Sequence, residues 1–94
     1  MNCIRYCTNR TFLQLDSALE NRFEQLLSII PSDSAKDVLK SHQISWLVSR
    51  REQCLVHTEG LTGSFGAIRF VDCLNALTTS REREVSWLIE HTQP

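Results

Sequence analysis

Apolar residues recur along the chain at intervals of three and four. Between Thr8 and Ile30 they fall at Phe12, Leu15, Leu19, Phe23, Leu26, Leu27 and Ile30, one face of a helix. Pro31 closes this segment, because proline cannot continue a helix, and "SDSAKDVLK" offers Ser32 or Ser34 as the N-cap of a second one with acids in its first turn. Leu39, His42, Trp46, Arg50 and Cys54 share one side of that helix, which runs to about His57. All three glycines, Gly60, Gly63 and Gly66, then crowd into one stretch with Thr and Ser between them. Glycine destabilises a helix interior by about 1 kcal/mol, so residues 58–66 read as a loop. A third stripe, Phe70, Cys73 or Leu74, Leu77, Arg81, Val85 and Leu88, predicts a helix over 67–90, with polar "EHTQP" fraying at its end. The expectation is an all-α fold, a small antiparallel bundle of helices at 8–30, 33–57 and 67–90 in a single domain 1–94. Residues 1–7 form a cysteine-bearing segment or a short fourth turn.

A chain of 94 residues leaves much of its surface exposed, so its core needs covalent or partner help. Four cysteines could supply it; the even count suggests two disulfides and an oxidising compartment, with three connectivities open. Antiparallel packing of the second and third helices puts Cys54 and Cys73 near the two ends of the glycine stretch, where a bridge would close a loop of about 20 residues and contribute roughly 3 kcal/mol. Such a clamped connection is either a staple alone or a presented binding loop, which loses less entropy on docking. A zinc site of four thiolates is set aside, since Cys54 and Cys73 lack knuckle spacing, and no metal or other cofactor is expected.

The net charge of -1, from ten basic and eleven acidic residues interspersed, gives no footprint for nucleic acid or an anionic membrane. No apolar run approaches the roughly 18 residues of a membrane span, and "MNCIRYC" lacks the apolar stretch of a signal peptide, so an exported form has lost its signal. "LTTSREREVSWLIE" resembles the opening of a LuxR-type helix-turn-helix, but the chain stops where the recognition helix would begin. Catalysis is not expected. Glu52, Glu59 and Asp72 are the only acids near the loop, with no defined mutual spacing, His42 reads as a core-edge residue and His91 as part of the tail. A Cys54 and His57 nucleophile pair is undercut if Cys54 is oxidised.

Asp16, Arg50 and Arg81 each fall on the apolar stripe of their own helix, with Trp46 one turn before Arg50. Packing the helices would bring a carboxylate and two guanidiniums toward one interior, as an ion-pair cluster that sets helix register or, alternatively, a groove for an anionic ligand.

Three pieces of sequence, in order, resemble the LprI-like lysozyme-inhibitor family. Cys7 followed by Leu15, Asp16, Leu19 and Phe23 is similar to its N-terminal segment; Trp46, Arg50 and Cys54 match its W-x3-R-x3-C core; Gly63, Ser64, Cys73, Leu74, Leu77, Thr78 and Arg81 match its last segment. The chain departs from the pattern at Ser49, usually aromatic, at Arg51, usually Asp, and in the short spacing of Cys3 and Cys7. A Cys3–Cys7 bridge is favoured beside Cys54–Cys73 provided the stretch is not extended, since the Cα atoms must come within about 7 Å. The resemblance implies a periplasmic or secreted protein with no cofactor that inhibits a lysozyme-like wall hydrolase, either a host enzyme or a toxin against which it confers immunity. A non-inhibitory envelope scaffold is the alternative. A muramidase cleft carries two carboxylates on its floor, and the segment Val56 to Phe65 has the donors and glycines to approach it. His57, Thr58, Glu59, Thr62, Ser64 and Phe65 are therefore the expected target-binding residues.

Overall fold

The structure, a computed structural model, describes the backbone of residues 3–60 and 63–92, with side chains from Arg10 onward except Ser64. Three helices account for nearly all of it: α1 (Cys3–Ile29), α2 (Asp33–His57) and α3 (Gly63–Thr92).

The first boundary forms as the sequence dictates. Ile30 N–H donates to the Leu27 carbonyl at 3.2 Å, tightening the last turn of α1 before Pro31. Ser32, rather than Ser34, caps α2: its Oγ accepts from Ala35 N–H at 3.3 Å and its carbonyl accepts from Lys36 N–H at 3.0 Å. Asp33 adds a negative charge at the positive end of the helix dipole.

Contacts between elements fix their directions. Arg50 meets Asp16 and Thr78 at one level. At another, Leu19, Leu26, Val85 and Ile89 form the buried core, with Phe23, Ile29, Ile30, Leu39, Trp46 and Leu88 packed against it. Numbers rise between these levels along α1 and α3 and fall along α2, so α2 runs antiparallel to its two neighbours. At about 1.5 Å per residue the 30 residues of α3 span roughly 45 Å, matching the 48 Å long axis of the molecule.

Two predicted boundaries move. α1 starts at Cys3, so residues 3–7 continue the first helix and make no separate turn. α3 starts at Gly63, not at residue 67, so the connection is shorter than residues 58–66. Only two of the glycines serve the turn: Gly60 has φ +87° and Gly63 φ +64°, the left-handed region that side-chain-bearing residues rarely enter. Gly66 is buried within α3. The favoured Cys3–Cys7 bridge lies outside the described side chains.

The inner seam of α2 differs from the expected one in a single register step. His42 is exposed and Gln43 is buried, so the seam reads Leu39, Gln43, Trp46, Arg50 and Cys54. On α3, beyond Gly66, the buried positions among the described residues are Leu74, Thr78, Arg81, Val85 and Ile89, again at spacings of three and four. Among the described residues the backbone of α3 runs close to that of α1 and less closely to that of α2, whereas α1 and α2 keep their backbones apart and meet through long side chains such as Arg50 on Asp16.

Candidate functional site

The end of the molecule where α2 turns into α3 is held by a covalent clamp. Cys54 and Cys73 are disulfide-bonded with their Cα atoms 5.5 Å apart, and Cys54 is fully buried.

Below the clamp, toward the core, lie the charged residues of the interior. Arg50 is nine-tenths buried, and its Nη1 donates to Asp16 Oδ1 at 2.8 Å and to Thr78 Oγ1 at 2.9 Å. Its guanidinium carbon sits 5.1 Å from the centre of the Phe12 ring and 5.0 Å from that of Trp46, within reach of both aromatic quadrupoles. Arg81 does not join Asp16. It donates from Nε to Gln43 Oε1 at 2.9 Å and from Nη1 to Glu84 Oε1 at 3.1 Å, and approaches Trp46 at 5.9 Å. The expected three-residue cluster is thus two arginine sites that share Trp46 as a neighbour. Each guanidinium is matched by an acceptor on a different helix, Asp16 and Thr78 for one and Gln43 for the other. That arrangement ties helices together rather than opening a pocket for an anion.

Beyond the clamp is the tip. Thr58 N–H donates to the carbonyls of Cys54 and Leu55 at 3.2 and 3.3 Å, and Glu59 N–H to that of Val56 at 3.1 Å. The Thr58 hydroxyl donates to the same two carbonyls, at 3.2 and 3.1 Å, so this residue closes α2 and does not offer its donor outward. His57 is the last residue of α2, and Ser64 and Phe65 belong to the first turn of α3, so the expected binding segment is built largely from helix ends. Thr62 and the Ser64 side chain lie outside the described residues.

What the tip presents is apolar as well as polar. Val56 is 70% and Phe65 62% exposed, with Leu55 half exposed beside them. His57 lines two grooves of about 500 Å³ each, one shared with Gln53, Arg69, Asp72 and Leu77, the other with Glu52, Gln53 and Val56. Imidazole, guanidinium and amide groups therefore border a concavity next to protruding hydrophobic side chains, the mixture of anchor and polar rim found at protein interfaces. No group of three His, Cys, Asp or Glu side chains suited to a metal occurs among the described residues.

Sequence reasoning missed three residues here. Thr78 enters the sequence reading only as a match to the family pattern and Gln43 not at all, yet they are the neutral partners of Arg50 and Arg81. His91, assigned to the tail, instead stacks on Trp87 with ring centres 4.0 Å apart, its Nδ1 lying 2.8 Å from the Trp87 carbonyl oxygen.

Comparison with known families matches the chain to the LprI lysozyme-inhibitor family, whose model covers residues 2–85. No curated protein and no solved structure matches the chain significantly.

Proposed function

The chain belongs to the LprI lysozyme-inhibitor family, and on that premise we propose that it binds and blocks a lysozyme-like peptidoglycan hydrolase, with the tip between α2 and α3 as the inhibitory element. The observation that carries the reading is the family match over nearly the whole chain. In this reading Val56 and Phe65 anchor on the apolar walls of the substrate cleft, and His57 points donors toward the carboxylates on its floor. Glu59 faces cationic surface at the mouth. Thr62 and Ser64 add hydroxyl groups beside them, and Thr58 acts by holding the end of α2. The chain is then a stoichiometric protein ligand of a muramidase or a hydrolytic toxin, and no enzyme. A periplasmic or secreted location goes with this function. The Cys54–Cys73 bridge suits an oxidising compartment, and among the described residues no helix is long and apolar enough to cross a membrane.

The test is a cell-wall lysis assay against a panel of muramidases. One or more should lose activity in proportion to added protein, with equivalence near one to one. Val56→Ser and Phe65→Ser change side chains already in solvent and should leave folding intact. Together they should weaken inhibition of the sensitive enzyme at least 30-fold, because an anchor residue at an interface contributes about 2 kcal/mol or more. Full inhibition by the folded double variant would remove the tip from the mechanism, and insensitivity of every muramidase would remove the function.

A further inference from the structure

The two halves of the Cys54–Cys73 bridge meet solvent differently. Cys54 is fully buried, whereas Cys73 is half-buried and lines a groove of about 500 Å³ beside His57 and Arg69. Exchange of a disulfide with a thiol begins when a thiolate reaches one of the two sulfurs, and access decides which. From outside the folded chain, Cys73 is the one on a path. The inner half has a feature of its own. Arg50 gives Nη1 to Asp16 and Thr78, yet its Nε–H is buried with no acceptor among the described residues. An unpaired buried donor is costly, and a redox role is one reason for a protein to retain it. Arg50 and Cys54 stand one turn apart on the same buried seam of α2, at the spacing of four that makes side chains neighbours. Helical side chains lean toward the N-terminus, so Cys54 leans toward Arg50.

We propose that the Cys54–Cys73 bridge is a directional thiol-exchange site for low-molecular-weight thiols, with Cys73 as the sulfur attacked and Cys54 as the leaving group. The incoming thiolate enters the groove beside Arg69 and supplies the electron pair of a new S–S bond to Cys73 Sγ. The pair of the old bond departs with Cys54 as a thiolate, and the Arg50 Nε–H is the donor that receives it. A thiolate released in a buried place needs such a donor, and a neighbouring arginine is what favours the ionised form. Return attack of Cys54 on Cys73 expels the small thiol and restores the bridge. A dithiol instead completes a reduction: its second sulfur attacks its first, Cys73 leaves, and two electrons and two protons pass from the dithiol to the two cysteines. Either reagent opens the clamp at the base of the turn between α2 and α3. The site rests on the unequal burial of the bridge and does not depend on what the tip binds.

Two thiols test this on the oxidised full chain. With reduced glutathione at about pH 8, where a small thiol is partly ionised, samples are quenched in acid, digested with pepsin and mapped by mass spectrometry. The glutathione adduct should sit on Cys73 at least about tenfold more often than on Cys54. With dithiothreitol, the rate of opening is read from the same peptides. It should be flat across urea concentrations well below the unfolding transition, because the groove is open in the folded protein. Arg50→Met should slow opening at least about tenfold, whereas loosened packing alone would speed it. An adduct on Cys54, adducts on both sulfurs alike, or no reaction until urea unfolds the chain would overturn the proposal, since the bridge would then be a staple that opens only with the fold. Opening of the Arg50→Met variant at the parent rate or faster would overturn it as well, because the leaving thiolate would not rest on the arginine. Every readout is a mass on the chain itself, so the result stands whether or not any muramidase is inhibited.

Discussion

Arg50 is the most constrained charged residue of the interior, and its two sides differ in how they face water. Its own side chain is nine-tenths buried, whereas that of Asp16 is 36% exposed. Removing one partner of a pair is costly in proportion to how deeply the remaining charge is buried. Asp16→Ala leaves the guanidinium with Thr78 as its one hydrogen-bonded acceptor among the described residues, and Nε is already without one. It should cost about 2–4 kcal/mol. Arg50→Met removes the buried charge while keeping an unbranched side chain between Phe12 and Trp46, and the exposed face of Asp16 rehydrates, so the cost should be about 1–2 kcal/mol. Urea unfolding of the two variants measures the order. A larger loss for Arg50→Met would mean that stacking against the two rings, not pairing with Asp16, is what the arginine contributes. Arg81→Ala should leave the Asp16 pair untouched, since Arg81 bonds Gln43 and Glu84 instead.

At the scale of elements, the long helices were legible because their stripes are long: Leu19 to Leu26 and Val85 to Ile89 sit at the expected spacings and form the core. The Cys54–Cys73 bridge was legible too, because antiparallel packing of α2 and α3 leaves both residues at the base of the turn. Ends were less so. Gly66 reads locally as a breaker, yet it is buried inside α3, and tertiary packing overrides a propensity difference of about 1 kcal/mol. The seam of α2 was misread by one residue because His42 and Gln43 are both polar, and only the structure shows that Gln43 faces Arg81. The candidate site was the least legible part, since much of a loop inferred from glycine content is two helix ends, where Val56 and Phe65 are exposed along with His57 and Glu59. The start of α2 offers a clean check on local logic. Ser32→Ala removes the side-chain acceptor for Ala35 N–H and should lower stability by about 1 kcal/mol in thermal unfolding, whereas Ser34→Ala should change little.

The molecule as a whole is elongated, 48 × 23 × 16 Å, and its two ends are stabilised by different means. The apolar core of Leu19, Leu26, Val85 and Ile89 occupies the end where α2 begins. The other end has the disulfide, with the Arg50, Asp16 and Thr78 contacts between it and the core. A covalent tie matters most where hydrophobic burial is least, so the clamped end should open locally when the tie is removed. In the double variant Cys54→Ser, Cys73→Ser, global stability should fall by about 2–3 kcal/mol, the value of closing a loop of about 20 residues. Amide hydrogen exchange should show where the loss lies. Residues 53–60 and 63–73 should lose protection first, while the amides of Leu26, Val85 and Ile89 keep protection close to the global limit. If the tip is the inhibitory element, inhibition should weaken in the same variant at temperatures where far-ultraviolet circular dichroism still reports folded helices, because a binding surface released from its clamp must be ordered again on docking. Uniform loss of protection along all three helices would instead mean that the two ends unfold as one cooperative unit, and that the bridge stabilises the bundle as a whole rather than the surface it presents.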